Sequence, residues 1–367
     1  MKLDKIARDE LLKPLSSVSG IVERKHTLPI LSNVLLEQKE QRLWMTAMDM
    51  ELQISAYCEV PEASAQAITV SARKLQDLLR ALPDDVDVSL ETQGSKMLVR
   101  AGRSRFHLQT LPAADYPRLT LGETQQASIT LPKKVLKSLL RQVEFAMAQQ
   151  DIRYYLNGML WVIDQSAVQL VATDGHRLAW ASLPVSGVFT RQEVILPRKT
   201  VMELGKLLAD DESPVTLDIL SNQVRFHFGS TEIISKVIDG KFPDYNRVIP
   251  VGYTRHVEVS RAVFLAALQR AAILSNEKVR GVHFNLVKDE IKIICSNNEQ
   301  EEAEEQLDVQ YSGEELSIGF NITYLLDMLQ RLTSEKVMLS FGNSGDSALL
   351  TVPGQHDYKY VVMPMRL

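Results

Sequence analysis

Apolar residues recur at helical spacing in three stretches set at almost equal distances along the chain. In Thr130–Val143 a proline step at Pro132 leads into a helix. Its Val135, Leu136, Leu139, Leu140 and Val143 share one face. Lys133, Lys137 and Arg141 fall four apart and make a basic row on another face. The same unit returns at Arg8–Val18 and Arg261–Ala271, with starts 125 and 128 residues apart. A helix with a core face and a basic face, reused along the chain, suggests a surface built around a polyanion.

Three further echoes keep the same step. A strand follows a turn at Asn33, Gly158 and Val282, at intervals of 125 and 124. Asp49 and Asp174 close Thr-containing strand ends 125 apart, and Asn298 follows 124 later. A second strand-to-helix entry reads at Val70–Leu75, Leu196–Val201 and Gly319–Tyr324. Echoes in one order at one spacing predict three homologous domains, 1–125, 126–253 and 254–367.

Each domain reads as strand, helix, strands, helix, strands, an α+β plan with two helices against antiparallel sheet. In the first, helices are expected at Arg8–Val18, kinked or shortened by Pro14, and at Ala72–Leu82. The second helix is expected to bury Leu75, Leu78, Leu79 and Leu82. Strands are expected near 30–38, 41–47, 51–60, 86–91, 97–101 and 104–109. Helices follow near 133–143 and 198–208, then 260–273 and 322–332. The end of the chain, Tyr360–Leu367, is apolar to its last residue. It reads as a final strand bordering a groove for a short hydrophobic peptide.

The 41 basic and 46 acidic residues give a net charge of -5, which excludes a wholly basic coat but not a local basic surface. The two cysteines are too few for a disulfide framework. No apolar secretory core stands at the start, and no apolar run approaches the roughly 20 residues of a membrane helix. The expected compartment is the cytoplasm.

Candidate chemistry is sparse. Seven histidines show no metal-ligand spacing, and no phosphate-binding glycine loop is present. Asp174 and His176 would suit a hydrolase, but no serine or cysteine elbow accompanies them. The alternative is a turn in which Asp174 bonds its own backbone and Gly175 takes positive φ. The acids Glu299, Glu301, Glu302, Glu304 and Glu305 could hold a cation, form a solvated face, or pair with a basic patch. Arg103 and Arg105 supply such a patch beside Phe106 and Leu108, and Ile273 and Leu274 end a helix in the third domain. Basic residues gather on the predicted helices, where they read as a polar face or as sequence-independent phosphate contacts.

The segments LPAADYP (111–117), RYYLNGML (153–160), VATDGHRLA (171–179), FPDY (242–245), AAILSNEK (271–278) and YVVMPMRL (360–367) resemble one family over essentially the whole chain. It is the β subunit of bacterial replicative DNA polymerase III, the sliding clamps. The resemblance implies a non-catalytic ring of two head-to-tail subunits that encircles duplex DNA without sequence preference and confers processivity. It implies no cofactor or metal. Phe106 and Leu108 would pack on Ile273 and Leu274 of the next subunit, with Arg103 and Arg105 facing Glu299, Glu301, Glu302, Glu304 and Glu305. Arg24, Arg73, Lys74, Lys137, Arg141, Tyr154, Arg198 and Lys199 would face DNA. The family's peptide groove maps to Leu156, Thr173, Gly175, His176, Arg177, Leu178, Pro243, Arg247, Val248, Asn321, Tyr324, Val361, Met363, Pro364, Met365 and Arg366. Its implied partners are the polymerase alpha subunit, the clamp loader, translesion and repair polymerases, and mismatch-repair and initiation-regulating proteins. Val279 departs from the family's larger aromatic, and Gly342–Lys359 departs in loop pattern.

Overall fold

The periodic pattern resolves into one element order used three times. The computed structural model describes residues 1–23, 27–61, 65–122, 125–185 and 190–366. The first repeat runs β1 (Lys2–Ala7), α1 (Arg8–Ser19), β2 (Asn33–Lys39), β3 (Arg42–Met48), β4 (Leu52–Glu59), β5 (Gln66–Ser71), α2 (Ala72–Ala81), β6 (Asp87–Gln93), β7 (Lys96–Ala101) and β8 (Ser104–Pro112). The second runs β9 (Gln125–Pro132), α3 (Lys133–Val143), β10 (Gly158–Ile163), β11 (Ala167–Thr173), β12 (Arg177–Pro184), β13 (Gln192–Pro197), α4 (Arg198–Leu207), β14 (Pro214–Leu220), β15 (Gln223–Phe228) and β16 (Thr231–Lys236). The third runs β17 (Arg255–Ser260), α5 (Arg261–Ala271), β18 (Gly281–Val287), β19 (Glu290–Ser296), β20 (Glu302–Asp308), β21 (Leu316–Asn321), α6 (Ile322–Arg331), β22 (Lys336–Phe341), β23 (Ala348–Thr351) and β24 (Tyr358–Val362).

The chain divides into two compact units, Met1–Leu136 with Met202–Val237, and Lys137–Val201 with Ile238–Leu367. The first unit holds a sheet of order β1-β6-β7-β8-β5-β2-β3-β4-β16-β15-β14-β9. The second holds β13-β10-β11-β12-β24-β23-β22-β17 and a separate β20-β19-β18-β21. The central repeat thus gives four strands to a sheet of each unit. Two of these joins are equivalent: β4 pairs antiparallel with β16, and β12 pairs antiparallel with β24. In both, the third strand of the helix-crossed sheet meets the last strand of the following repeat.

Local chemistry explains where elements begin. Ser71 caps α2 by accepting from the Lys74 N–H, and Asn321 caps α6 by accepting from Thr323 N–H. Some expectations change. α1 runs for 12 residues straight through the buried Pro14, so the proline does not shorten it. In α2, Leu75 and Leu79 are buried, but Leu78 and Leu82 are half-buried. The buried place beside them goes to Gln76, whose amide donates to Ser16 Oγ at 3.2 Å and so stays satisfied. Residues 30–32, expected in a strand, fall in the short 3₁₀ turn Pro29–Ser32 ahead of β2. The Gly342–Gly345 stretch joins β22 to β23 as a hairpin, closed by Asp346 Oδ2 accepting from Asn343 N–H at 2.7 Å. Both cysteines are free and buried, and burial pushes the Cys58 thiol up to about 12 and Cys295 to about 11. No described helix is long and apolar enough to cross a membrane.

Candidate functional site

For the peptide groove expected in the second unit, the turn between β11 and β12 supplies one wall. Asp174 Oδ1 accepts from the N–H groups of His176 and Arg177 at 3.0 and 3.1 Å, and Gly175 sits at φ +88°. This is the Asx turn that the alternative reading expects. The carboxylate is fully engaged, since Oδ2 accepts from Arg177 Nε at 3.0 Å. A Cβ at Gly175 would come within 2.8 Å of the Arg153 guanidinium, so the glycine also admits a neighbouring cation. Arg153 is held in turn by Asp151. Hydrogen bonds from the Arg153 side chain and backbone pull the Asp151 carboxyl down to about 2.

The other wall comes from α6 and the chain end. β12 pairs with β24, placing Leu178 opposite Val361. Beyond β24, Met363 N–H donates to His176 O at 2.9 Å and Met365 N–H donates to Gly319 O at 2.8 Å. These two bonds strap the tail across the sheet ends. Met363 and Arg366 are exposed, and Pro364 and Met365 are half-buried. Leu156, Leu178 and Val361 lie below, in a buried cluster with Val171, Phe242 and Tyr245. Thr173 is also buried, and its hydroxyl donates to Arg177 O at 2.6 Å. Pro243, Arg247 and Val248 are exposed beside this cluster. Asn321 and Tyr324 are half-buried at the start of α6. Val279 is 45% exposed, two residues before Gly281, which pairs with Asn321.

Arg177 joins the two walls. Nη1 donates to Asp327 Oδ2 at 2.6 Å and Nη2 to Phe145 O at 2.9 Å. Its guanidinium lies 4.4 Å from the Tyr324 ring centre. Burial works against the charge, but Tyr360 and the carboxylates of Asp327 and Asp174 raise the pKa above the usual arginine range. Asp327, Phe145 and Tyr360 were not singled out in the sequence. The available signal was an acid three residues from Tyr324, set among Leu325, Leu326, Met328 and Leu329.

Two strand edges carry the remaining patches. In the first unit, residues 104–109 of β8 pair only with β7 among the described residues, which leave the other edge open. Arg103, Arg105 and Phe106 are exposed there, and Leu108 is half-buried. In the second unit, β20 pairs only with β19 among the described residues. Its acids are partly engaged within the chain. Glu305 takes a two-pronged bond from Arg270 at 2.7 and 2.6 Å, which holds its carboxyl below the ordinary range. Glu301 accepts from Asn297 at 2.7 Å, and Glu304 lies 3.8 Å from Lys292. Glu299 and Glu302 are exposed. Ile273 is 77% exposed and Leu274 half-buried.

The basic row is not repeated on every first helix. α1 opens with Asp9 and Glu10 and carries no base in its last turn. In α5, Arg261 donates to Ser334 O and Leu329 O while Arg270 is held by Glu305. Basic positions concentrate on α2, α3 and α4. Lys74 and Arg141 are exposed, Lys137, Arg198 and Lys199 half-buried, and Arg73 is exposed 3.5 Å from Asp77. Arg198 donates to Met147 O at 3.2 Å. Burial raises the Glu144 carboxyl, against the pull of Arg331, Arg198 and Arg141. Tyr154 is 58% exposed. Arg24 lies outside the described residues.

Three copies of one helix-and-sheet plan, joined edge to edge through equivalent strands, define a DNA-clamp architecture. Comparisons with known proteins agree along the chain. Family profiles for the N-terminal, central and C-terminal domains of the DNA polymerase III beta subunit match residues 1–120, 130–244 and 246–366. The beta sliding clamp of Pseudomonas putida is 46% identical over 365 residues, covering 99% of each chain. That of Escherichia coli K12 is 44% identical over 363 residues, again covering 99% of each. A crystal structure of the DNA polymerase sliding clamp from Pseudomonas aeruginosa superposes with TM-score 0.96 at 44% identity over the full length of both chains. The Caulobacter crescentus pol III beta structure gives 0.94 at 36% identity, also over both full lengths. The chain belongs to the DNA polymerase III beta subunit family, the beta sliding clamps, non-catalytic processivity factors that encircle DNA as dimeric rings.

Proposed function

We propose that two copies of this chain close head to tail through β8 of one and β20 of the other. One observation carries the reading. Each internal junction pairs the third strand of one repeat with the last strand of the next, as β4 with β16 and β12 with β24. The third strand left over is β20, and the last strand left over is β8. Repeating the junction between two chains uses both open edges and closes a cycle of six repeats.

The internal junctions also supply a register. Leu52 lies opposite Ser235 and Ile54 opposite Ile233. Gly102 and Gly229, both at positive φ, open matching hairpins, so Arg105 and Phe106 correspond to Glu232 and Ile233. Transferred to the open edges, this register sets Glu304 opposite Arg105, Ala303 opposite Phe106 and Glu301 opposite Leu108. Ile273 and Leu274 then cover the apolar centre of the contact, with Arg103 and the other acids on its rim. The repeats taken as domains are 1–125, 126–253 and 254–367. The basic positions of α2, α3 and α4 attract phosphates without reading bases. The groove at Tyr324 and Met363 takes short apolar peptides from the polymerase alpha subunit, the clamp loader and repair factors, in turn.

Charge reversal tests the register. R105E or E304R alone places like charges opposite each other and shifts a micromolar dimer toward monomer in sedimentation velocity. The R105E/E304R double variant restores the dimer. Single variants that remain dimeric, or a double variant no better than either single one, would overturn the pairing.

A further inference from the structure

Arg177 is surrounded on every side within the second unit. It donates to Asp174 from the β11–β12 turn, to Phe145 O after α3, and to Asp327 in α6. Its side chain is 10% exposed. Its planar face lies 4.4 Å from the Tyr324 ring centre and 5.4 Å from that of Phe145. The Tyr324 ring has a second neighbour in His176, which lies near-parallel to it at 6.5 Å and 23°. The same residue's backbone is pinned too, since the buried Tyr360 hydroxyl donates to Tyr324 O at 2.9 Å. Asp327 sits one helical turn beyond Tyr324 on α6. The helix that carries the ring therefore also carries the carboxylate that anchors the cation against it.

We propose that Asp327 is a positioning residue of the groove: by anchoring Arg177 it fixes the Tyr324 ring as a rigid wall for an apolar side chain of an incoming peptide. The inference rests on the reading of this groove as a peptide site. Such an anchor preorganises the groove. A ring free to turn must be ordered when a ligand arrives, whereas a ring already held costs nothing further. A charge-assisted bond from a buried guanidinium is among the stronger devices available for holding it. Asp174 serves the same cation but also closes its own turn, so Asp327 is the partner that can be altered without undoing the loop.

The test uses the full-length dimer and a fluorescein-labelled short apolar peptide from the polymerase alpha subunit. D327N keeps the shape of the side chain and removes its charge. The expected result is a dissociation constant raised about tenfold, the scale of one lost charged hydrogen bond, with dimer mass and melting midpoint near wild type. R177K keeps the charge but loses the planar fork and is expected to weaken binding equally. A 3-fluorotyrosine label at position 324 reports the ring itself. Its ¹⁹F resonance is expected to shift in D327N before any peptide is added, and to return in D327E together with affinity. Wild-type affinity in D327N or R177K, or an unmoved resonance, would overturn the proposal. Should D327N melt early, R177K decides by the same criterion. Deletion of Met363–Arg366 in parallel separates the two readings. Unchanged affinity in the deletion removes the groove and this proposal together. Lost affinity there with wild-type affinity in D327N removes this proposal alone.

Discussion

Glu37 shows how two neighbouring cations lower a half-buried carboxyl in the first unit. Its carboxylate accepts from Arg118 at 3.1 to 3.3 Å, and Lys39 Nζ stands 2.9 Å away. Burial alone would raise its pKa, but the hydrogen bonds from Lys39 and Arg118 outweigh burial and hold it below the ordinary value. A carboxyl depressed in the folded state stabilises the protein above its unfolded pKa, and that contribution is lost as pH falls through the folded value. E37Q is therefore expected to cost about 1 kcal/mol at neutral pH, a figure kept small by the solvent around Arg118. The gap to wild type closes as pH drops below the carboxylate range. Urea melts at a series of pH values check this, and a gap that stays constant in acid would refute it. At the same scale, the repeat was legible through its turns. Asp49 Oδ1 accepts from the second and third N–H groups after it, as Asp174 does. In the third repeat that place belongs to Asn297, whose Oδ1 accepts from Glu299 and Glu301 N–H, not to Asn298. The third turn is one residue longer, and turn length leaves no trace in an apolar–polar pattern.

Among the elements, helices were the most legible and sheet order the least. A helix writes its buried face locally, every three or four residues, so α3 fell at its expected bounds. Strand pairing is set by partners far away, such as β4 with β16, and nothing inside either strand names the other. The short leading strands β1, β9 and β17 were expected in the element order but given no bounds, because six to eight residues carry too few alternations. The chain end alone marked a groove, through its apolar run to the last residue; the full lining was legible only through family resemblance, since its walls come from segments some 150 residues apart. Packing at one repeat position gives a sharp prediction. Gly158 opens β10 opposite Pro197, where Asn33 and Gly281 open β2 and β18. A Cβ there would stand 2.4 Å from Leu196 O and 2.9 Å from the side chains of Ile195 and Ile238. The first conflict is with backbone and cannot be relieved by a rotamer change. G158A is expected to destabilise the protein by about 1–3 kcal/mol, the usual range for overpacking. Its urea midpoint should fall with an unchanged slope, and a midpoint equal to wild type would show that β13 yields.

For the whole molecule, retention on DNA must be separated from affinity for it. With a net charge of -5 and few bases on α2, α3 and α4, attraction to a polyanion is expected to be weak. Contacts to phosphate weaken steeply with salt because bound counterions return to the duplex. A ring that can leave only over an end, or by opening, obeys a different law. Its lifetime depends on DNA topology and on ring closure, and little on phosphate contacts. The decisive comparison therefore holds the protein and salt fixed and changes only the DNA. After loading onto a nicked circle by its ATP-driven loader, the protein is expected to stay bound through gel filtration in salt that abolishes phosphate contacts. Cutting the same circle once should release it, because sliding then reaches an end. Placing a tightly bound blocking protein at each end of the linear form should restore retention, which a salt-sensitive surface contact would not do. Equal lifetimes on circular and linear DNA would mean that the chain holds DNA by its surface. In that case R105E and E304R, which open the junction, should leave the lifetime on circles unchanged. If retention is topological, the same variants should shorten it while leaving weak binding to linear DNA intact.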